Sequence, residues 1–496
     1  MTEARLGTIP LASADPAPAT RARCPKLSNE DLLPVEKQSW TAYNLFAMWM
    51  SNVHSVAGYV FAASLFTLGI PGWQVLTALL LGILLTNYFV NKVGQMGQRY
   101  RIPFAVSCRP SFGVLGANIP GLIKAFIATC WYGIQTWVAS TAIMVSALRF
   151  FPELTPWTQV SFLGLSYLGW AAFLILWLFQ LIVFYRGLEA VRKFCDWAGP
   201  GVYVVMFLLA GWIVYKAGGM SEISFTLSSV TLQGAPAWGM FITAVALVVA
   251  YFAGTTLNFA DFARLIESPA SMKRGNFLGL PVNLMTFALI TVITTSGGLQ
   301  VFGELITDPV ELVARIDSHT AALLGVLTFS ISTVATNIVA NFISASFDLA
   351  NMIPSRINFR RGGVIAAILS IVVMPWNLYN NPVMIQYTLG ALGALIGPLF
   401  GILMADYYRV RLQQIDVQAL YTSDPNGPYW YTRGFNLTAV YTLALAGLLS
   451  LSVALVPALS LVSPFSWFVG ALAGFTIYPM LARHPRLGLN AQQNLS

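Results

Sequence analysis

The chain has 496 residues, of which 57% are hydrophobic and only 9% charged, with a mean hydropathy of +0.69. Soluble domains carry roughly 25% charged residues, so a soluble globular protein is excluded and a polytopic membrane protein is expected. The net charge of +8 is spread over short loops between apolar runs rather than gathered into a patch, which excludes a nucleic-acid-binding surface.

Residues 1–28 are rich in Ala, Pro and Arg and lack an apolar core, so they read as a disordered tail rather than a cleavable signal peptide. Apolar spans of about 20 residues then follow near 43–69, 73–97, 121–149, 161–184, 198–216, 236–261, 277–303, 319–350, 363–380, 385–407, 436–458 and 464–482. This gives a twelve-span transporter domain over 29–484 and a short C-terminal tail over 485–496. An even number of spans puts both termini on one side. Arg99, Arg101, Arg109, Arg186, Arg192, Lys193, Arg264, Lys273, Arg274, Arg356, Arg360, Arg361, Arg409 and Arg411 fall in alternate connections, whereas the opposite ones hold little beyond Arg149, Lys216 and Arg315. That asymmetry places both termini in the cytoplasm of a multi-pass plasma-membrane protein. Asn436-Leu437-Thr438 matches a glycosylation acceptor, but this topology puts it at a cytoplasmic end. Cys24, Cys108, Cys130 and Cys195 are widely spaced and suggest neither a disulfide framework nor a metal site.

Two spans are interrupted by small or polar residues. The first carries Ser51-Asn52-Val53-His54-Ser55-Val56-Ala57-Gly58-Tyr59, and the sixth carries Tyr251-Phe252-Ala253-Gly254-Thr255-Thr256. They lie five spans apart, as expected of a midplane site between inverted repeats built on discontinuous helices. Alternatively, Gly254 only lets a neighbouring helix approach.

The third span contains Trp131 and Gln135 one turn apart on one face, suited to stacking on a flat ring while an amide reads its edge; ordinary helix packing would also account for them. In the eighth span Asn337, Asn341, Ser344 and Asp348 form a polar stripe that must face protein or water. Asp348 either belongs to a site or pairs with a loop arginine. His54 either carries a coupling proton or serves as a neutral hydrogen-bonding partner. No G-x-x-x-x-G-K-[ST], H-E-x-x-H or G-x-S-x-G pattern occurs, so neither an ATP motor nor an enzyme is indicated.

Asn29-Glu30-Asp31-Leu32-Leu33-Pro34, Lys124-Ala125 through Trp131-x-Gly133-x-Gln135-Thr136-Trp137, Asn337-x-x-x-Asn341 and Ile357-Asn358-Phe359-Arg360-Arg361-Gly362 together resemble the nucleobase–cation symporter family, over residues 29 to 480. The resemblance implies an all-α, LeuT-like fold: a 5+5 inverted repeat plus two C-terminal helices, alternating access around a central site. It implies a substrate site at Trp131, Gln135, Phe252 and Asn341, with Ser55 and Asn52 from the broken first span. It also implies a sodium site at the main chain of Ser51, His54 and Ser332 and the hydroxyl of Thr336; a second hydroxyl of that site falls on Ala335 and is missing.

The expectation is therefore a monomeric symporter in the lipid bilayer, with no cofactor beyond a coupling cation, H+ or Na+. Its substrate would be a small planar nucleobase or cyclic ureide of the uracil, cytosine, allantoin or hydantoin type. Transport of a vitamin precursor of thiamine or pyridoxine type, or of an amino-acid-type substrate, on the same fold is the nearest alternative. A non-transporting ligand sensor is the alternative from another class.

Overall fold

The computed structural model describes residues 24–378 and 382–482; the expected tails up to residue 23 and over 485–496 lie outside them. Among the described residues nine helices are long and apolar enough to cross a membrane, and Asn118–Phe150 makes a tenth when taken with the helix that follows it at a 119° bend. The other two expected spans are present in pieces. The first is Ala42–Val53 followed by Val56–Leu65, and the ninth is Phe359–Val372 followed by Pro375–Leu378. The breaks, not a lack of apolar chain, keep these two from qualifying as continuous helices.

Three span starts differ from the sequence reading by several residues, the seventh beginning at Pro269 rather than near 277. The fourth span starts at Tyr167, because Ser161–Phe162 and Leu165–Ser166 pair as a hairpin. Its turn residues Leu163 and Gly164 have φ of 51° and 85°, the left-handed values that a two-residue hairpin turn requires. The fifth span starts at Leu188 and carries Pro200 inside it, where the sequence suggested a start near 198. A proline within a helix leaves the carbonyl four residues earlier without its usual donor. Here that carbonyl, on Asp196, accepts from the Tyr43 hydroxyl of the first span at 3.1 Å, so the helix runs through.

The third, fourth, eighth and ninth spans are joined around Phe342. Its ring stacks on Phe184 at 4.0 Å and lies 4.6 Å from Tyr132, while Phe184 also meets Phe359 at 4.7 Å. Phe342 ends a π-helical turn, Ile338–Phe342, in the middle of the eighth span. Such one-turn bulges are frequent at functional sites because they re-aim the side chains around them.

At the end bearing most of the basic loops, the chain before the first span is packed down rather than loose. Asn29 Nδ2 donates to the Ile357 carbonyl at 2.9 Å, and Asp31 accepts from the Phe359 N–H at 2.8 Å. Packing begins before residue 28, since Leu27 is buried and the Cys24 N–H bonds the Tyr421 carbonyl. Arg109, counted above among the loop charges, is fully buried. Its guanidinium donates to the carbonyls of Leu27 and Leu420 and to Asn351 Oδ1, at 2.7, 2.9 and 2.8 Å.

Candidate functional site

The first span breaks at His54 (φ −84°, ψ 72°) and Ser55 (φ −120°, ψ 163°). In a continuous helix the N–H of Ser55 would pair with the Ser51 carbonyl and that of Val56 with Asn52. Instead the Ser55 N–H turns to the Val53 carbonyl at 3.0 Å. The eighth span supplies the missing partners: Thr333 Oγ1 accepts from the Val56 N–H at 3.2 Å, and Thr336 Oγ1 donates to the Ser51 carbonyl at 2.5 Å. Two hydroxyls one turn apart thus satisfy backbone groups that lipid could not. The Ser55 hydroxyl caps the second half-helix, accepting from the Gly58 N–H at 2.9 Å.

The sixth span breaks at Phe252 (φ −91°, ψ 1°), between Gly234–Tyr251 and Ala253–Leu257. The two breaks touch. Tyr251 stacks on Phe61 of the first span at 4.3 Å and 10°, and a Cβ on Gly58 would stand 3.2 Å from Tyr251 Oη and 2.4 Å from the Val53 carbonyl oxygen. Gly58 is therefore the residue that close approach requires. Gly254 is not: its nearest neighbour in that direction is Ile396 Cδ1 at 4.0 Å, so the close-approach reading of the sixth-span glycine fails.

On the eighth span the polar stripe divides into two groups. Asn337, fully buried, binds across to the third and fourth spans: its Nδ2 reaches the Tyr132 carbonyl at 3.0 Å, Thr136 Oγ1 at 3.0 Å and Gln180 Oε1 at 2.8 Å. Asn341 Nδ2 donates to Asn337 Oδ1 at 2.9 Å. This register sets Asn341 close to the stretch of the third span that carries Trp131 and Gln135. Trp131 is half-buried, whereas Gln135 is buried with an Oε1 that has no protein hydrogen-bond partner. Asn52 is buried likewise, its Nδ2 unpartnered, and Phe252 is buried at the sixth-span break.

Farther along, Asp348 is buried and accepts from Ser344 Oγ at 3.4 Å, with Oδ1 unpartnered. Its electrostatic neighbours are Asp261 and the buried Lys124, not a loop arginine, so pairing with such an arginine is set aside. Asp261 receives the Phe104 N–H at 2.8 Å through Oδ1, with the Asn258 side chain beside its carboxylate.

Of the residues expected at an ion site, Ser51, Ser332 and Thr336 come together. Thr336 Oγ1 lies 2.5 Å from the Ser51 carbonyl and 3.1 Å from that of Ser332. Ala335, fully buried, contributes no oxygen. The expectation for His54 concerns its main chain; its ring stacks on Phe287 at 5.2 Å and stands edge-on to Tyr203 at 4.2 Å. The Asn283 side chain is the polar group beside the ring.

Sequence reasoning passed over Gln180, Thr333 and the contact of Tyr251 with Gly58. Gln180 carried a signal, being a carboxamide in the otherwise apolar helix Tyr167–Tyr185. Polar residues inside a span are expensive and kept for a purpose.

Three comparisons bear on this arrangement. The family described as "Permease for cytosine/purines, uracil, thiamine, allantoin" matches residues 32–470. The allantoin permease of Bacillus subtilis is 36% identical over 471 residues, covering 94% of this chain and 95% of its own. The purine-uracil permease NCS1 of Arabidopsis thaliana is 31% identical over 473 residues, covering 92% and 78%. Among solved structures, Mhp1, a nucleobase-cation-symport-1 family transporter in a closed conformation with bromovinylhydantoin bound, superposes with a TM-score of 0.73 at 21% identity. That match covers 92% of this chain and 95% of that one, and it supports the LeuT-like fold.

Proposed function

From the premise that this chain belongs to the nucleobase–cation symporter family of permeases, we propose that it imports a small, uncharged, planar heterocycle of the nucleobase or cyclic-ureide type. The ring lies between Trp131 and Phe252, and Gln135, Asn341 and the Ser55–Asn52 region read its edge. The observation that carries this reading is the meeting of the two broken spans at Gly58 and Tyr251. Beside it, Asn337 ties the third span to the eighth at the level of Trp131 and Asn341. Both termini face the cytoplasm of the plasma membrane, as the loop charges indicate, and the chain works as a monomer. The curated allantoin and purine-uracil permeases favour this substrate class over a vitamin precursor.

Import is coupled to a cation. Sodium fits the residues poorly. One of the two hydroxyl positions is Ala335, and the remaining hydroxyl, on Thr336, is already bonded to the Ser51 carbonyl. A hard cation needs several converging oxygens, so proton coupling is the reading adopted. His54, at the break of the first span, and Asp348, on the polar stripe of the eighth, are buried ionisable groups placed to carry the proton. Asp348 faces Lys124 and Asp261, whereas His54 faces Tyr203 and Phe287.

The test is uptake of labelled allantoin and uracil into cells or proteoliposomes by the native chain and by Trp131→Ala. Saturable uptake that the substitution abolishes at unchanged membrane abundance is expected. Normal uptake by Trp131→Ala overturns the site.

A further inference from the structure

The amides that read a ring edge are ambiguous by nature, since a carboxamide offers a donor and an acceptor of nearly equal shape. Which of the two faces the ligand decides whether the site selects an N–H or a ring carbonyl. At Asn341 the surrounding network removes that ambiguity, and the constraint starts two helices away.

Gln180 on the fourth span is 1% exposed. Its Nε2 donates to its own helix's Leu176 carbonyl at 3.3 Å and to Thr136 Oγ1 at 3.1 Å. A backbone carbonyl can only accept, so this end of Gln180 must be the NH2 group and its oxygen must lie on the other side. That oxygen meets Asn337 Nδ2 at 2.8 Å. A second carbonyl, of Tyr132, also accepts from Asn337 Nδ2 at 3.0 Å. The Thr136 hydroxyl spends its only proton on the Tyr132 carbonyl at 2.7 Å and can therefore only accept, so the two protons of Asn337 Nδ2 are shared among three acceptors. With Asn337 Nδ2 turned toward the third and fourth spans, its Oδ1 must face Asn341. Only the NH2 end of Asn341 can answer it, at 2.9 Å. The side chain of Asn341 is thereby fixed, with Oδ1 left over as an acceptor.

We propose that Gln180 is a positioning residue: through Asn337 it locks the Asn341 carboxamide with its oxygen available to the ligand, so that the site selects a ring N–H at that edge. This deepens the substrate reading above and rests on it. Gln180 need not touch the ligand. Its effect is on which edge is accepted, not on whether a flat ring can stack.

Two consequences separate this role from a merely structural one. Loss of the lock lets the Asn337 and Asn341 amides turn, so a ligand with a methyl group in place of the selected N–H is less penalised relative to its parent. A purely structural defect lowers uptake of parent and analogue alike and leaves their ratio unchanged. Gln180→Met removes both polar ends at nearly constant volume, while Gln180→Glu keeps an acceptor for Asn337 Nδ2.

The experiment is competition against labelled allantoin uptake by hydantoin and by hydantoin methylated at one or the other ring nitrogen. In the native chain one methylated isomer should compete at least about tenfold more weakly than hydantoin, the size of one lost hydrogen bond. In Gln180→Met that gap should fall to within about threefold, and Gln180→Glu should restore most of it. If both isomers compete like hydantoin in the native chain, or if Gln180→Met keeps the native gap, the positioning role is wrong although the transporter reading stands. Should the native chain take up neither allantoin nor uracil, the underlying substrate reading fails instead. Where Gln180→Met does not reach the membrane, Gln180→Leu, which also removes the acceptor for Asn337, takes its place: its gap must fall to within about threefold, and a native gap overturns the inference.

Discussion

Thr336 of the eighth span donates its hydroxyl proton to the carbonyl of Ser51 in the first span, at 2.5 Å. That carbonyl would belong to an ordinary helical bond if the first span were continuous. The broken helix is thus held open from outside, by a neighbour that replaces the bond it gave up. Thr336→Val deletes the donor and leaves a buried carbonyl unpaired, which costs roughly 1–3 kcal/mol. Thr336→Ser keeps the hydroxyl. We expect the valine variant to show a lower melting temperature in detergent and impaired uptake, with the serine variant near native on both.

Gly58 lies where the two breaks meet, and a methyl group there would stand 2.4 Å from the Val53 carbonyl oxygen. The obstacle is backbone and cannot rotate away. Gly58→Ala should destabilise the protein by about 1–3 kcal/mol, the usual range for overpacking. Thermal unfolding measured against Gly254→Ala gives the contrast, since Gly254 has room for the same methyl and its variant should unfold near the native temperature.

In the proposed site Phe252 is the ring face that closes on the substrate opposite Trp131. Phe252→Ala should weaken competition by the transported heterocycle by about tenfold or more, which corresponds to roughly 1.4 kcal/mol of lost stacking and burial. Phe252→Trp, which keeps an aromatic face, should retain uptake with altered preference among ring sizes. Inhibition constants from a panel of uracil, cytosine, allantoin and hydantoin measure both effects.

Coupling can be assigned by replacing sodium with choline at two pH values. The poor oxygen set around Thr336 predicts uptake that survives the replacement and rises at the more acidic pH. A collapse in choline at both pH values would return the ion to the Ser51–Ser332–Thr336 cluster. Between the two candidate proton carriers, His54→Gln and Asp348→Asn decide: the carrier's variant should lose concentrative uptake yet keep exchange of substrate across the membrane.

Much of this architecture was legible in the sequence because membrane burial is written in composition. Apolar runs marked the spans, and polar residues within the first, sixth and eighth marked what lipid cannot solvate. The starts of the fourth and fifth spans were not legible. An apolar hairpin over Ser161–Ser166 resembles helix in hydropathy, and Pro200 resembles a helix start until Tyr43 is found on the Asp196 carbonyl. The contact of Thr336 with Ser51 was suggested by the family resemblance rather than by spacing, and no spacing reveals that the His54 ring packs against Tyr203 and Phe287. Gln180 shows the limit most clearly, because its partner Asn337 lies 157 residues away. A lone amide in an apolar helix announces that it has a partner without saying which.

The central claim is that a flat, neutral ring is carried at a site containing Asn341 and Trp131. Counterflow in proteoliposomes preloaded with unlabelled allantoin, uracil or hydantoin measures it most directly, comparing the native chain with Asn341→Ala. The account predicts accumulation of label with at least one of these rings in the native chain and none in the variant. Equal counterflow in both, or no exchange of any of the three rings by a folded native chain, would contradict it.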